Sequence, residues 1–244
     1  MADFAPIYIH SFESLATRDG EGIRYGIFLG GCPLRCVFCH NPDTWDMGAT
    51  KAYSPEELYR KIKRYTPYFK SSGGGVTFSG GEPLLQAKAL LPLCRMLTEG
   101  GISYTVDTSG TLPLSDGVKE VLDGASHILL DLKFASEEQY KAYTGGSLSA
   151  VLDTLRYLVE GNKRIWIRTV VIPTVNDTEA DMDAYLGLLS PYLGKIEKYE
   201  LLPFHTMGFF KYDRLGVKNP LAHLSALSPE KKDLLQDYIN RHLG

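Results

Sequence analysis

Cys32, Cys36 and Cys39 follow the apolar run Tyr25-Gly-Ile-Phe-Leu29 at a C-x3-C-x2-C spacing, and they are three of the chain's four cysteines. Three thiols within eight residues are arranged as ligands. A closed iron-sulfur or tetrahedral zinc site needs a fourth, so the set implies an open coordination position, which marks a catalytic rather than a structural metal. Zinc stays open as an alternative, with His40 as the fourth ligand, because tight cysteine spacings serve both metals. The fourth cysteine, Cys94, shares a helical face with Leu90, Leu91 and Leu97 and reads as a small buried hydrophobe. Four cysteines in 244 residues with no secretory signal fit a reducing, cytoplasmic compartment better than a disulfide framework.

These thiols need a scaffold, and the sequence describes one. Short β-rich runs at 22–29, 75–79, 103–107, 127–131, 164–172 and 198–203 alternate with helical patterns at 55–68, 84–99, 115–123, 136–143, 148–160, 178–193 and 229–242. Such alternation predicts an α/β fold with a parallel sheet covered by helices, here six βα units and so a partial (β/α)6 TIM-like barrel. Ser54-Pro55-Glu56-Glu57 and Ser228-Pro229-Glu230 carry helix-entry chemistry. The length suits one domain spanning residues 1–244. A net charge of -3 speaks against a nucleic-acid partner, and no apolar stretch approaches the roughly 20 residues that span a bilayer.

Polar residues cluster directly after the strands: Ser79-Gly80-Gly81-Glu82-Pro83, Asp107-Thr-Ser-Gly110, Asp131-Leu132-Lys133 and Leu201-Leu-Pro-Phe-His205. In parallel α/β folds strand C-termini build the active site. Gly80-Gly81 also reads as a turn, Asp107 and Asp131 as caps, Lys133 as a solvated lysine, and His205 as a surface histidine. Arg168 differs, because a charge inside Ile165-Trp-Ile-Arg-Thr-Val-Val-Ile172 must face a polar interior or pair with an acid.

The C-x3-C-x2-C loop, with Phe38 ahead of the third cysteine, and Gly80 to Glu82 resemble the radical S-adenosylmethionine (SAM) superfamily. Ile9-His-Ser-Phe-Glu-Ser14, Asp19-Gly-Glu-Gly-Ile-Arg24, Cys39-His-Asn-Pro-Asp-Thr-Trp45, Gly73-Gly-Gly-Val-Thr77, Asp131-Leu-Lys133 and the segment ending at His205 narrow the resemblance to glycyl-radical-activating enzymes. With no cysteine between Cys39 and Cys94, the chain lacks the ferredoxin-like insertion of some activases, which favours the pyruvate formate-lyase type.

The resemblance implies a radical SAM oxidoreductase holding a 4Fe-4S cluster on Cys32, Cys36 and Cys39, its unique iron chelated by SAM. Reductive cleavage would give a 5′-deoxyadenosyl radical that takes a glycine α-hydrogen from pyruvate formate-lyase in anaerobic metabolism. Phe38, Cys39, His40, Gly80, Gly81, Glu82, Asp107, Asp131, Leu132, Lys133, Arg168 and His205 are implied around the cofactor, and Asp19 at the substrate peptide. A monovalent cation on Asp107 and Asp131, flavodoxin or ferredoxin as electron donor, and a monomer complete the implied set. The competing readings are another glycyl-radical activase, a small-molecule radical SAM enzyme, and a non-enzymatic zinc or electron-transfer protein.

Overall fold

The structure, a computed structural model, describes residues 4–243. Eight strands lie in one open sheet in the order β3-β1-β2-β4-β5-β6-β7-β8: β1 (Ile7–Ala16), β2 (Arg24–Leu29), β3 (Lys51–Tyr53), β4 (Gly75–Gly80), β5 (Tyr104–Thr108), β6 (His127–Asp131), β7 (Ile165–Val171) and β8 (Ile196–Pro203). β2 pairs in parallel with β4, β4 with β5, and β7 with β8. The six strands expected from the sequence are β2 and β4 to β8. β1 and β3 are additional, and they pair antiparallel in the order β3-β1-β2. β1 escapes pattern reading because its register against β2 shifts twice, at Ile9/Ser11 and at Glu13/Ala16, which interrupts the inward and outward alternation.

The helices are α1 (Pro55–Lys63), α2 (Thr66–Ser72), α3 (Ala87–Glu99), α4 (Asp116–Gly124), α5 (Glu137–Thr144), α6 (Leu148–Glu160), α7 (Glu179–Leu189), α8 (Phe209–Leu215) and α9 (Pro229–Leu243). α1 opens with a capping box, in which Ser54 and Glu57 satisfy each other's backbone N–H, and Pro55 takes the first turn. The helix expected to run unbroken from 55 to 68 is two, since Pro67 lacks an N–H and enters at a new first turn. α8 lies in a segment with no expected element.

The chain packs as two compact units. One comprises the described part of Met1–Pro33 with Thr44–Thr108 and Leu112–Leu129; the other comprises Leu34–Asp43, Ser109–Thr111 and the described part of Leu130–Gly244. In the first, Ile27, Val76, Phe78 and Val106 are wholly buried, with Leu58, Ile62, Leu90, Leu93 and Leu97 closing over them from α1 and α3. Cys94 is buried on that same α3 face. Arg24, at the start of β2, is also buried; its guanidinium donates to Thr77 Oγ1 at 3.0 Å, to Thr105 Oγ1 at 2.8 Å and to the Val76 carbonyl. In the second, Ile165, Ile167, Val171, Leu155, Leu158, Tyr185, Leu235 and Ile239 form the core.

Two glutamines act as peptide surrogates. The Gln86 amide pairs with the backbone of Tyr8, accepting from N at 2.8 Å and donating to O at 2.9 Å. Gln236, on α9, does the same on the outer strand β8: Oε1 accepts from Leu201 N and Nε2 donates to Tyr199 O, both at 2.8 Å. No described helix is long and apolar enough to cross a membrane.

Candidate functional site

None of the four cysteines is in a disulfide. Cys32 lies in the first unit, where β2 gives way to a loop held by Gly31 N to Thr44 O at 2.8 Å and Cys32 N to Trp45 O at 3.3 Å. Cys36 and Cys39 lie in the second, on a turn closed by Cys39 N to Cys36 O at 3.1 Å. That turn is tied to the end of α5 by Arg35 N to Thr144 O and Val37 N to Tyr143 O, each at 2.9 Å.

The first unit also carries the Gly80-Gly81-Glu82 turn at the end of β4. A Cβ on Gly81 would stand 2.2 Å from the Gly31 carbonyl oxygen, and one on Gly80, at φ +108°, would stand 2.4 Å from Leu29 N. The glycines therefore let β4 approach the cysteine-bearing end of β2, backbone to backbone, and Glu82 N donates to Gly31 O at 2.8 Å. Glu82 is buried, and its Oε1 accepts from Thr108 Oγ1 at 2.8 Å and from Leu84 N at 3.2 Å. Asp107, on β5, accepts from Ser79 Oγ at 2.6 Å. Asp19, half-buried, takes a hydrogen bond on its backbone oxygen from Thr77 Oγ1 at 2.7 Å.

The second unit gathers the charges. Asp131, at the end of β6, accepts from Lys133 Nζ at 2.9 Å on Oδ2 and from Arg168 Nη2 at 3.0 Å on Oδ1. The acid that Arg168 requires is Asp131. Burial works to raise the Asp131 carboxyl, but Lys133 and Arg168 outweigh it and hold it below the ordinary value. Burial likewise works to lower Lys133, but Asp131 and Cys36 hold its ammonium above the ordinary value. Both lysine and arginine therefore stay charged, a net +1 for the trio. Phe38 is buried, with Lys133 Nζ 5.9 Å from its ring centroid and Phe134 edge-on at 5.9 Å. Leu132 is buried beside them in sequence.

His40 and His205 stack face to face, centroids 3.7 Å apart and planes within 4°. His40 Nε2 lies 2.9 Å from the His205 carbonyl, so Nε2 carries the proton and donates. Burial and then the neighbouring His205 lower His40 to about 4, which leaves it neutral near pH 7. His205 Nδ1 is buried without a hydrogen-bond partner. A buried, unpartnered ring nitrogen beside the stacked pair is open to a ligand's hydrogen bond.

The residues fit the implied group. Three cysteines at C-x3-C-x2-C spacing suit a cluster with one iron open to a ligand, the cationic trio suits a carboxylate, and the His205 nitrogen suits a nucleobase edge or ribose. The structure thus accounts for a partner to Arg168 and a stacked pair for His40 and His205, while Glu82 and Asp107 are found on Thr108 and Ser79. Ser79 and Thr108 stood in the polar clusters that the sequence places after the strands, but without a role of their own. Lys211 and Tyr212 were missed. Lys211 Nζ donates to Asn41 Oδ1 at 2.8 Å and Asp43 Oδ1 at 3.0 Å, and Tyr212 donates to the Cys39 carbonyl at 2.9 Å.

Residues 27–186 match the family described as the radical SAM superfamily. A pyruvate formate-lyase-activating enzyme of Clostridium pasteurianum is 39% identical over 235 residues, 96% of this chain and 98% of that one. One of Staphylococcus aureus strain USA300 is 37% identical over 239 residues, 96% and 95% of the two chains. Among solved structures, a domain of a pyruvate formate-lyase-activating enzyme from Bacteroides vulgatus superposes with a TM-score of 0.57 at 25% identity, covering 70% of this chain and 95% of that one. A radical SAM methyltransferase from Sphaerobacter thermophilus, at 18% identity, shares the fold with a TM-score of 0.63 over 98% of this chain and 74% of its own. The chain therefore belongs to the radical SAM superfamily and, within it, to the pyruvate formate-lyase-activating enzymes.

Proposed function

We propose that this chain activates pyruvate formate-lyase by generating a radical on one of its glycine α-carbons under anaerobic conditions. The observation that carries the reading is a set of three cysteines at C-x3-C-x2-C, outside any disulfide, within a chain alike along nearly its whole length to activating enzymes. What favours a cluster over the zinc alternative is the match of residues 27–186 to the radical SAM superfamily.

When bound, a 4Fe-4S cluster and SAM supply the electron, the sulfonium cleavage and the radical that takes the glycine hydrogen. The protein's part is to bind, orient and exclude. Cys32, Cys36 and Cys39 would hold three irons as thiolates. Lys133 and Arg168, fixed on Asp131, offer positive charge to the SAM carboxylate with little reorganisation, since their partners are in place before the ligand arrives. Gly80, Gly81 and Glu82 would face the methionine amine, and Leu132 would line the cofactor. Phe38, Cys39, His40 and His205 would face the adenosine, where the neutral His40 adds no charge next to the sulfonium. Asp107 and Asp131 would serve a monovalent cation, and Asp19 the substrate peptide. The domain reading remains a single radical SAM domain, with flavodoxin or ferredoxin as reductant to a cytoplasmic monomer.

The test is anaerobic reconstitution with iron and sulfide, followed by reductant, SAM and pyruvate formate-lyase. A glycyl-radical doublet in electron paramagnetic resonance, absent in Cys36→Ala, is the expected result. Formation of 5′-deoxyadenosine without a doublet would move the assignment to another glycyl-radical partner. Full cluster loading without cofactor cleavage would overturn the enzyme reading.

A further inference from the structure

The segment from His205 to Tyr212 meets residues 39–43 at four points, all within one unit. The His205 carbonyl accepts from His40 at 2.9 Å. Gly208 lies so close beneath the next peptide that a Cβ there would be 2.7 Å from His40 O. Lys211 Nζ bridges the side chains of Asn41 and Asp43 at 2.8 and 3.0 Å. Tyr212 then reaches the carbonyl of Cys39 itself at 2.9 Å. α8 is otherwise a surface helix of seven residues; Phe210 and Leu215 are exposed, and Tyr212 is its only buried residue. A helix this short has little stability of its own. Its position is fixed by what Tyr212 and Lys211 touch, and both touch the run that leaves the third cysteine.

We propose that α8 is a brace for the cysteine loop, and that Tyr212 is a positioning residue which sets how readily the bound cluster accepts an electron. The proposal rests on the reading of Cys39 as a cluster ligand. The physical argument is one of charge. Reduction adds one negative charge to the cluster, and hydrogen bonds and nearby positive charge around its ligands favour the more negative state. The Tyr212 hydroxyl directs the positive end of its dipole at the Cys39 peptide, and the Lys211 ammonium stands two to four residues further along, on Asn41 and Asp43. Removing either makes the cluster harder to reduce. Removing Lys211 also unties residues 41–43 and leaves Asp43 without this cation, so the loop opens more often and iron escapes faster.

Tyr212→Phe, Lys211→Met and Lys211→Arg would be reconstituted beside the unaltered protein and compared in three ways. These are the midpoint of the cluster by spectroelectrochemical titration, the line shape of the reduced cluster in electron paramagnetic resonance, and the rate of iron loss to a chelator. Circular dichroism of the metal-free proteins reports folding separately. The expected result is a midpoint moved to more negative potential in Tyr212→Phe and Lys211→Met. Iron loss should be several-fold faster in Lys211→Met and return toward the unaltered rate in Lys211→Arg. Unchanged midpoint, line shape and iron retention in Tyr212→Phe and Lys211→Met, with a 4Fe-4S cluster present, would overturn the brace and leave the proposed function intact. Failure of the unaltered protein to assemble a 4Fe-4S cluster would overturn the reading beneath it. If Tyr212→Phe does not fold, the two Lys211 variants decide alone.

Discussion

Asp131 carries two cations at once, and its removal should be felt first as lost stability. Asp131→Asn leaves Lys133 and Arg168 in place with their common anion gone, and breaking a largely buried pair costs about 3–5 kcal/mol. The pH dependence follows from the depressed carboxyl: its contribution is complete above the ordinary carboxylate value of 3.8 and is lost as pH falls through the lower folded value. Thermal melts of the metal-free protein from pH 7 downward should therefore show a steep acid limb that Asp131→Asn flattens. Cys94 gives the opposite kind of expectation. Burial pushes its thiol up to about 12, so at pH 8 a thiol reagent should modify Cys32 and Cys39 promptly and Cys94 only on unfolding, as mass spectrometry of the labelled peptides would show. Residue-level reading of the sequence could demand an acid for Arg168, because apolar neighbours leave a strand-bound charge no cheap alternative. It could not name Asp131, 37 positions away, because only the pairing of strands decides which acid arrives.

At the scale of elements, the end of β4 is the least forgiving point. Gly81→Ala sets a methyl group against the Gly31 carbonyl 2.2 Å away, and backbone cannot rotate aside as a side chain can. A loss of roughly 1–3 kcal/mol is expected for such overpacking, together with poorer iron retention, since Gly31 precedes Cys32; melting and iron assay on one preparation would check both. The parallel strands were legible because each is a short β-branched or aromatic run closed by polar or glycine residues. β1 was not, since its register shifts spoil alternation, and β3 has three residues, too few to make a pattern. α8 was invisible for another reason. What fixes it is a set of bonds to residues some 170 positions earlier, and no local propensity reports such a debt.

Across the whole molecule, the sheet has two outer strands, β3 and β8, and unpaired strand edges invite other chains. β3 is short and begins at Lys51, which blunts it. β8 is eight residues long and carries Glu197, Lys198 and Glu200, with the Gln236 amide occupying part of its free edge. Gln236→Ala should leave Leu201 N and Tyr199 O open and raise concentration-dependent association, seen as light scattering at unchanged secondary structure. The alternation of β2 and β4 to β8 with helices was legible in the sequence. The closing of the last edge by one side chain was not, because a glutamine on a helix looks like any solvated residue. Gln236 also sets a rule for how this chain can drift in length. Leu235 and Ile239 are wholly buried, so they and Gln236 fix the rotation of α9 about its own axis. One residue inserted ahead of Ser228 is absorbed by the approach to the helix. The same residue inserted between Pro229 and Leu235 turns everything after it by about 100°, carrying the amide off β8 and the two apolar side chains out of the core. Homologous chains should therefore vary in spacing before the helix and keep the count within it, a pattern that an alignment built on structure can check.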